Sequence, residues 1–237
     1  MSSLDPTLAQ QKLMSSWNGR AIDDRGILRT LNEGGSRPPL LWIFNSAEEP
    51  VRFAKALGDD QPLIFSRSSH LLVPPDDDPT EVRNILTEYL FGELKKQFPG
   101  SHFDMGTSCQ GSGIVMKLSN RLREADISVG HLCIVNCSLP QIDTNLPALL
   151  VYGDEDEGHN PFQRDSGAAE TRAKMVFSKY RKLVLKTRHG QYYLPENAKE
   201  IIAQFDLFRS QPPPAMLQWR RLALLLLGGT KAWRGGY

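Results

Sequence analysis

The stretch D-M-G-T-S-C-Q-G-S-G, residues 104–113, sets a thiol in a run of small residues. A nucleophile on a sharp strand-to-helix turn needs small neighbours, because the flanking backbone passes close by, and the following helix points its positive end at the reacting atom. Gly111, two residues after Cys109, meets that demand in full, and Thr107, two before it, meets it in part. A rival register centred on Ser108 has Gly106 behind it but Gln110 in the crowded forward position. The apolar stripe Ile114, Val115, Leu118 and Leu122 fits the Cys109 register better, so Cys109 is the candidate nucleophile. The plainer alternative is a buried thiol beside a tight turn, since free cysteine is among the most buried residue types.

A nucleophile of this kind is activated by a base, and T-R-H-G-Q-Y-Y-L-P-E-N puts His189 in a loop between the last strand and the final helix. That place suits a general base in the chain order nucleophile, acid, histidine. The acid position falls in V-Y-G-D-E-D-E-G, where Asp156 is the candidate to orient the imidazole; Asp154 and Glu155 share the turn, and an exposed acidic turn is the alternative reading. Three cysteines, Cys109, Cys133 and Cys137, with no C-x-x-C pair make neither a disulfide framework nor a zinc pattern, so a reducing, cytoplasmic setting is expected.

Residues this far apart must be brought together by a sheet. The runs P-L-L-W-I-F (39–44), Q-P-L-I-F-S (61–66), His102 to Met105, V-G-H-L-C-I-V-N-C (129–137), L-P-A-L-L-V-Y-G (146–153) and K-L-V-L-K-T (182–187) read as strands. The first is dense enough in apolar residues to be buried on both faces of a parallel sheet. Helical spacing marks 49–58, the long segment 79–98 and about 111–123. This alternation predicts an α/β, mainly parallel, doubly wound sheet with reactive residues at the carboxyl ends of its strands.

The 237 residues, 40% hydrophobic, fit one domain over 38–209. A polar extension, 1–37, with a short helix around Leu8 to Trp17, is expected before it. After it, residues 210–237 break at P-P-P and read as an amphipathic helix, M-L-Q-W-R-R-L-A-L-L-L-L-G-G, too short to span a membrane. The acidic triple Asp76 to Asp78 reads as a solvated turn with helix N-terminal charge rather than a metal site. Lysine plus arginine (28) balance aspartate plus glutamate (27), so no overall field favours nucleic acid. The first residues lack the basic and apolar blocks of a signal peptide.

Together these residues resemble the α/β-hydrolase thioesterases that release acyl chains from nonribosomal peptide and polyketide assembly lines. The similarity covers about Arg37 to Arg209: P-P-L-L-W-I-F-N, L-G-D-D-Q-P-L-I, S-C-Q-G-S-G-I-V-M-K-L-S-N-R-L, V-G-H-L-C-I-V-N and R-H-G-Q-Y-Y-L-P-E-N-A-K-E-I, in that order. The resemblance implies the α/β-hydrolase fold, Cys109 as the acylated nucleophile and His189 as general base. It implies an oxyanion hole made by the backbone N–H of Gln110 and one near Ser46 or Ala47. The family's acid follows either of two strands, which selects Asp156 or, one strand earlier, Asn136; Asp156 is favoured, and Cys-His-Asn is the alternative. A thiol close to ionisation beside an imidazole needs less help from a carboxylate than a serine would.

Members that cyclise or select long chains usually carry a helical lid between the strands flanking the acid. Here only C-S-L-P-Q-I-D-T-N-L-P separates them, so a short or absent lid is expected unless Gly158 to Tyr180 or the N-terminal extension supplies one. The resemblance also implies an acyl or peptidyl carrier protein as partner, a chain carried on its phosphopantetheine, a small-molecule acceptor, and no bound cofactor or metal.

Loading a cysteine exchanges one thioester for another, so the acyl-enzyme stays activated towards an amine or hydroxyl. Acyl transfer or condensation is therefore the leading expectation. A hydrolytic editing or releasing thioesterase is the second. A non-catalytic scaffold relative, suggested by Asn136 and the imperfect elbow, is the third.

Overall fold

Every residue of the run Leu40–Phe44 is buried, and the pleat of a strand sends Leu40, Trp42 and Phe44 to one face and Leu41 and Ile43 to the other. The structure, a computed structural model, describes residues 5–74, 77–139 and 142–211. In chain order the elements are α1 (Pro6–Met14), β1 (Arg20–Ala21), β2 (Arg29–Leu31), β3 (Leu40–Phe44), α2 (Glu48–Leu57), β4 (Leu63–Arg67), α3 (Thr80–Gln97) and β5 (His102–Ser108). A single 3₁₀ turn, Cys109–Gly111, leads into α4 (Ser112–Glu124), followed by β6 (Ser128–Val135), β7 (Pro147–Gly153), α5 (Pro161–Arg164), α6 (Ser166–Val176), β8 (Lys179–Leu185) and α7 (Pro195–Arg209).

The eight strands among the described residues form one sheet in the order β1-β2-β4-β3-β5-β6-β7-β8. From β4 to β8 all pairings are parallel, while β1 and β2 join antiparallel at one edge. The α/β sheet predicted from the alternation of strands and helices is thus the one observed. On one face α3 and α4 pack Leu86, Leu90, Leu94, Val115 and Leu118 onto Leu41, Ile43 and Ile134. On the other, α2 and α7 pack Phe53, Ile201 and Phe205 onto Trp42, Phe44 and Val151. Burial of each such aromatic or aliphatic side chain stabilises by roughly 1.5–3 kcal/mol.

The segment before residue 38 is part of this fold rather than an extension outside it. Its strands β1 and β2 complete the sheet edge, and Met14, Trp17, Ile27 and Leu28 are core residues. Two-residue and three-residue strands carry too little apolar pattern to register in sequence. The helix α1 starts at Pro6, earlier than its apolar spacing indicates, because Asp5 caps it by accepting the Thr7 N–H at 2.9 Å. Of the acidic triple, Asp78 accepts the Thr80 N–H at the start of α3, as helix N-terminal charge should.

Both segments named as a possible lid source are built into the body. Helix α6 buries Ala169, Ala173 and Val176 in the core as the crossover between β7 and β8. Among the described residues no helix is long and apolar enough to cross a membrane. The C-terminal helix read at 216–229 lies outside the described residues.

Candidate active site

Strand β5 stays extended through Ser108 (φ −121°, ψ 148°), and the turn is made by Cys109, whose φ of +45° lies in the left-handed region. For a non-glycine residue that conformation costs of order 1–3 kcal/mol and persists only where its surroundings impose it. Gly111 is part of what imposes it: a Cβ there would overlap Thr107 Oγ1 and come within 2.8 Å of Ile43 Cγ2. Thr107 is tolerated because its hydroxyl turns onto the Ile43 carbonyl, 3.1 Å away. The structure therefore places Cys109, not Ser108, at the strand-to-helix turn. Ser108 is buried, with its hydroxyl accepting from Asn45 Nδ2 at 3.1 Å.

The neighbouring Gln110 backbone N–H favours the Cys109 thiolate. Burial nevertheless pushes the thiol above its ordinary pKa, the charges of Glu49 and Asp156 push it the same way, and Arg83 opposes them. Partial burial thus outweighs the Gln110 N–H and runs against a thiol poised for ionisation, which makes a base the more needed.

His189 sits in the loop after β8, and two consecutive tyrosines fasten that loop. Tyr192 Oη accepts the Gly153 N–H at 2.8 Å and donates to Asp156 Oδ2 at 3.1 Å. Tyr193 Oη accepts from Trp42 Nε1 at 2.9 Å, which ties the loop to the centre of the sheet. Gly153 permits this close approach, since a Cβ there would overlap the Thr187 carbonyl and crowd Tyr192 Oη.

Asp156 and Asn136, read as alternatives, are both brought to the same atom. Asn136 Nδ2 lies 2.7 Å from His189 Nδ1, and Asp156 Oδ2 lies 3.4 Å from it. Asn136 follows β6 with φ +49°, while Asp156 is buried in the turn after β7. Their neighbours in the acidic turn serve elsewhere: Asp154 accepts the Thr187 N–H at 3.0 Å, and Glu155 is exposed. His189 and Cys109 line one cleft without a hydrogen bond between them among the described residues.

The second oxyanion donor is not where Ser46 was expected to supply it. The carboxylate of Glu49, in the first turn of α2, accepts both the Asn45 N–H at 2.8 Å and the Ser46 N–H at 3.3 Å. Burial raises the Glu49 pKa against these two hydrogen bonds. Ser46 thus has its N–H turned to Glu49, and Ala47 directly precedes α2 without a side-chain cap.

Two clefts meet at Cys109, Gln110 and Asn136. One, of about 160 Å³, is walled by Glu49, His189 and Tyr193. The other, of about 600 Å³, is walled by Arg83, Lys117, Cys137 and Leu139. Sequence reasoning passed over Glu49, Tyr192 and His159, which gives Asp156 Oδ1 a 2.9 Å contact from its Nδ1. The only sequence signal for His159 is its place three residues after Asp156.

No family model and no curated protein matches this chain. Solved structures do match. A four-domain nonribosomal peptide synthetase bound to AMP and glycine aligns with a TM-score of 0.60 and 13% identity over 78% of this chain, which spans only 20% of that much longer protein. The NocB thioesterase domain from the nocardicin cluster aligns at 0.59 and 10% identity, over 77% of this chain and 98% of its own. The type II thioesterase BorB from the borrelidin biosynthetic cluster aligns at 0.57 and 14% identity, over 77% and 95%. At these identities the likeness establishes the fold, which is the α/β-hydrolase fold.

Proposed function

We propose that this chain is a thioesterase-like acyltransferase that takes an acyl, peptidyl or polyketide chain from a carrier-protein thioester onto Cys109 and passes it to an amine or hydroxyl acceptor. The observation that carries the reading is Cys109 at a strained strand-to-helix turn, in one cleft with a histidine whose Nδ1 is held by Asp156 and Asn136.

In this mechanism His189 Nε2 accepts the Cys109 proton, and the thiolate attacks the thioester carbonyl. A base working through Nε2 needs Nδ1 protonated and donating to Asp156 Oδ2; Asn136, whose Nδ2 faces Nδ1 in the structure and whose buried Oδ1 has no partner, shares that proton once its amide rotates to turn the oxygen to the ring. The Gln110 N–H stabilises the developing oxyanion. The tetrahedral adduct collapses with loss of the carrier thiolate, which takes the proton from His189. In the second half the acceptor attacks the Cys109 thioester, its proton passes to His189, and the Cys109 thiolate leaves and is reprotonated. No bound cofactor takes part.

The larger cleft supports a carrier-borne substrate, because Arg83 and Lys117 flank the path to Cys109 and would meet the phosphate of a phosphopantetheine arm. Two clefts meeting at one sulfur give donor and acceptor separate approaches. The half-exposed His189 ring favours a second reading, hydrolytic release or editing, since water reaches the base. Turnover of acyl-pantetheine thioesters with and without amine and alcohol acceptors separates the two. Acceptor-linked product in excess of free acid supports transfer, and free acid formed equally fast in both cases supports hydrolysis.

A further inference from the structure

Asp156 faces two imidazoles. Its Oδ1 lies 2.9 Å from His159 Nδ1 and its Oδ2 lies 3.4 Å from His189 Nδ1, and the two rings stack with centroids 4.4 Å apart. One ligand atom from each of the three residues lies within 4.8 Å of the others. We infer that Asp156, His159 and His189 form a zinc-binding site whose occupation switches off the base.

The chemistry of the set suits zinc, which takes imidazole nitrogen and carboxylate oxygen in a tetrahedron with bonds of about 2.0–2.2 Å, so that its ligand atoms stand roughly 3.3 Å apart. The two Asp156 contacts, 2.9 Å through Oδ1 and 3.4 Å through Oδ2, are near that spacing, and a small rotation of the carboxylate would present one oxygen to a metal between the rings. His159 and Asp156 belong to one tight turn, in which the His159 N–H donates to the Asp156 carbonyl at 3.1 Å, and they make a local chelate that His189 joins from the next loop. The carboxylate is buried and receives a hydrogen bond from Tyr192, which fixes the direction of its oxygens as outer partners of metal ligands do. Both rings are about half exposed, so they have room to splay, and the fourth position opens to water.

The consequence follows from the tautomer. Zinc on Nδ1 of His189 takes the lone pair of the other tautomer, so the ring's single proton moves through water from Nδ1 to Nε2 and the ring no longer accepts the proton of Cys109. Metal and base function exclude each other at one imidazole. Metal binding stands without the proposed reaction; inhibition rests on it.

The test titrates cobalt(II), a spectroscopic stand-in for zinc, into the full chain, Cys109→Ala, His159→Gln and His159→Ala, with circular dichroism as the check on folding. The expected result is one equivalent bound by the full chain and by Cys109→Ala, with no thiolate-to-cobalt charge-transfer band. Affinity falls by at least about tenfold in both folded His159 variants. Zinc should slow acyl-enzyme formation by the full chain at least about tenfold more than by His159→Gln. No saturable binding, equal binding by His159→Gln, or binding lost in Cys109→Ala with a thiolate band would overturn the site. If no acyl-enzyme ever forms, the proposed reaction fails while the cobalt titration still decides the metal site.

Discussion

Oδ2 of Asp156 stands 3.4 Å from Nδ1 of His189, joining a buried carboxylate to a half-exposed ring. The Asn136 amide meets the same nitrogen at 2.7 Å. Asp156→Asn and Asn136→Ala are each expected to slow acylation of Cys109 by roughly 10- to 100-fold, short of the ~10⁴-fold loss seen when a lone carboxylate partner is replaced. The double variant should lose more than either. Single-turnover mass spectrometry measures these rates, and a single variant that matches the double would show that one partner alone orients the ring.

Thiol reactivity gives a second prediction. Burial raises Cys109 above its ordinary pKa, pushes Cys137 up to about 12, and raises Cys133 as well. Because the thiolate is the nucleophile, iodoacetamide should label one cysteine in the folded protein and three after unfolding. Its rate at Cys109 should keep rising with pH beyond the point where an ordinary thiol levels off. Glu49→Gln removes a nearby negative charge and should shift that rise to lower pH. A rate already flat at neutral pH would mean that the thiol rests as thiolate.

Glu49 itself should show the cost of burying its charge. Its folded-state pKa is raised, so its contribution to stability is present at low pH and is lost as pH rises through the folded value. Glu49→Gln keeps an oxygen for the Asn45 and Ser46 N–H groups without the charge. Relative to wild type it should therefore be more stable at pH 7 than at pH 4, by under about 1 kcal/mol. Urea unfolding at the two pH values reads the difference, and the opposite sign would show that the two hydrogen bonds outweigh desolvation.

At the elbow, Gly111→Ala should cost about 1–3 kcal/mol from the overlap with Thr107 Oγ1 and Ile43 Cγ2, lowering the melting temperature by about 2–4 °C per kcal/mol. Thr107→Ala removes one of the two clashing groups, so the double variant should recover part of the loss. Equal melting points for Gly111→Ala and wild type would mean that the turn is looser than its geometry implies.

The sheet was legible because β3, β4 and β7 are apolar runs buried on both faces, a pattern that survives in one dimension. The edge strands β1 and β2 were not, since pairing rather than apolar content defines them. Cys109 and His189 could be read from small residues at a turn and from chain order. Asn136 and Asp156 were named as alternatives with Asp156 favoured; that both meet Nδ1 was hidden, because their convergence depends on two loops meeting in space. Glu49 and His159 were missed because each acts through local contacts, a carboxylate folded back on its own helix start and an imidazole one turn from Asp156.

The most direct measurement is the intact mass of the protein after brief exposure to an acyl-pantetheine thioester, repeated with an amine acceptor. The proposed reaction predicts an acyl adduct on Cys109, absent in Cys109→Ala, that decays faster with acceptor than in water alone. An adduct that persists in Cys109→Ala, or none on the wild type with any acyl chain, would contradict it.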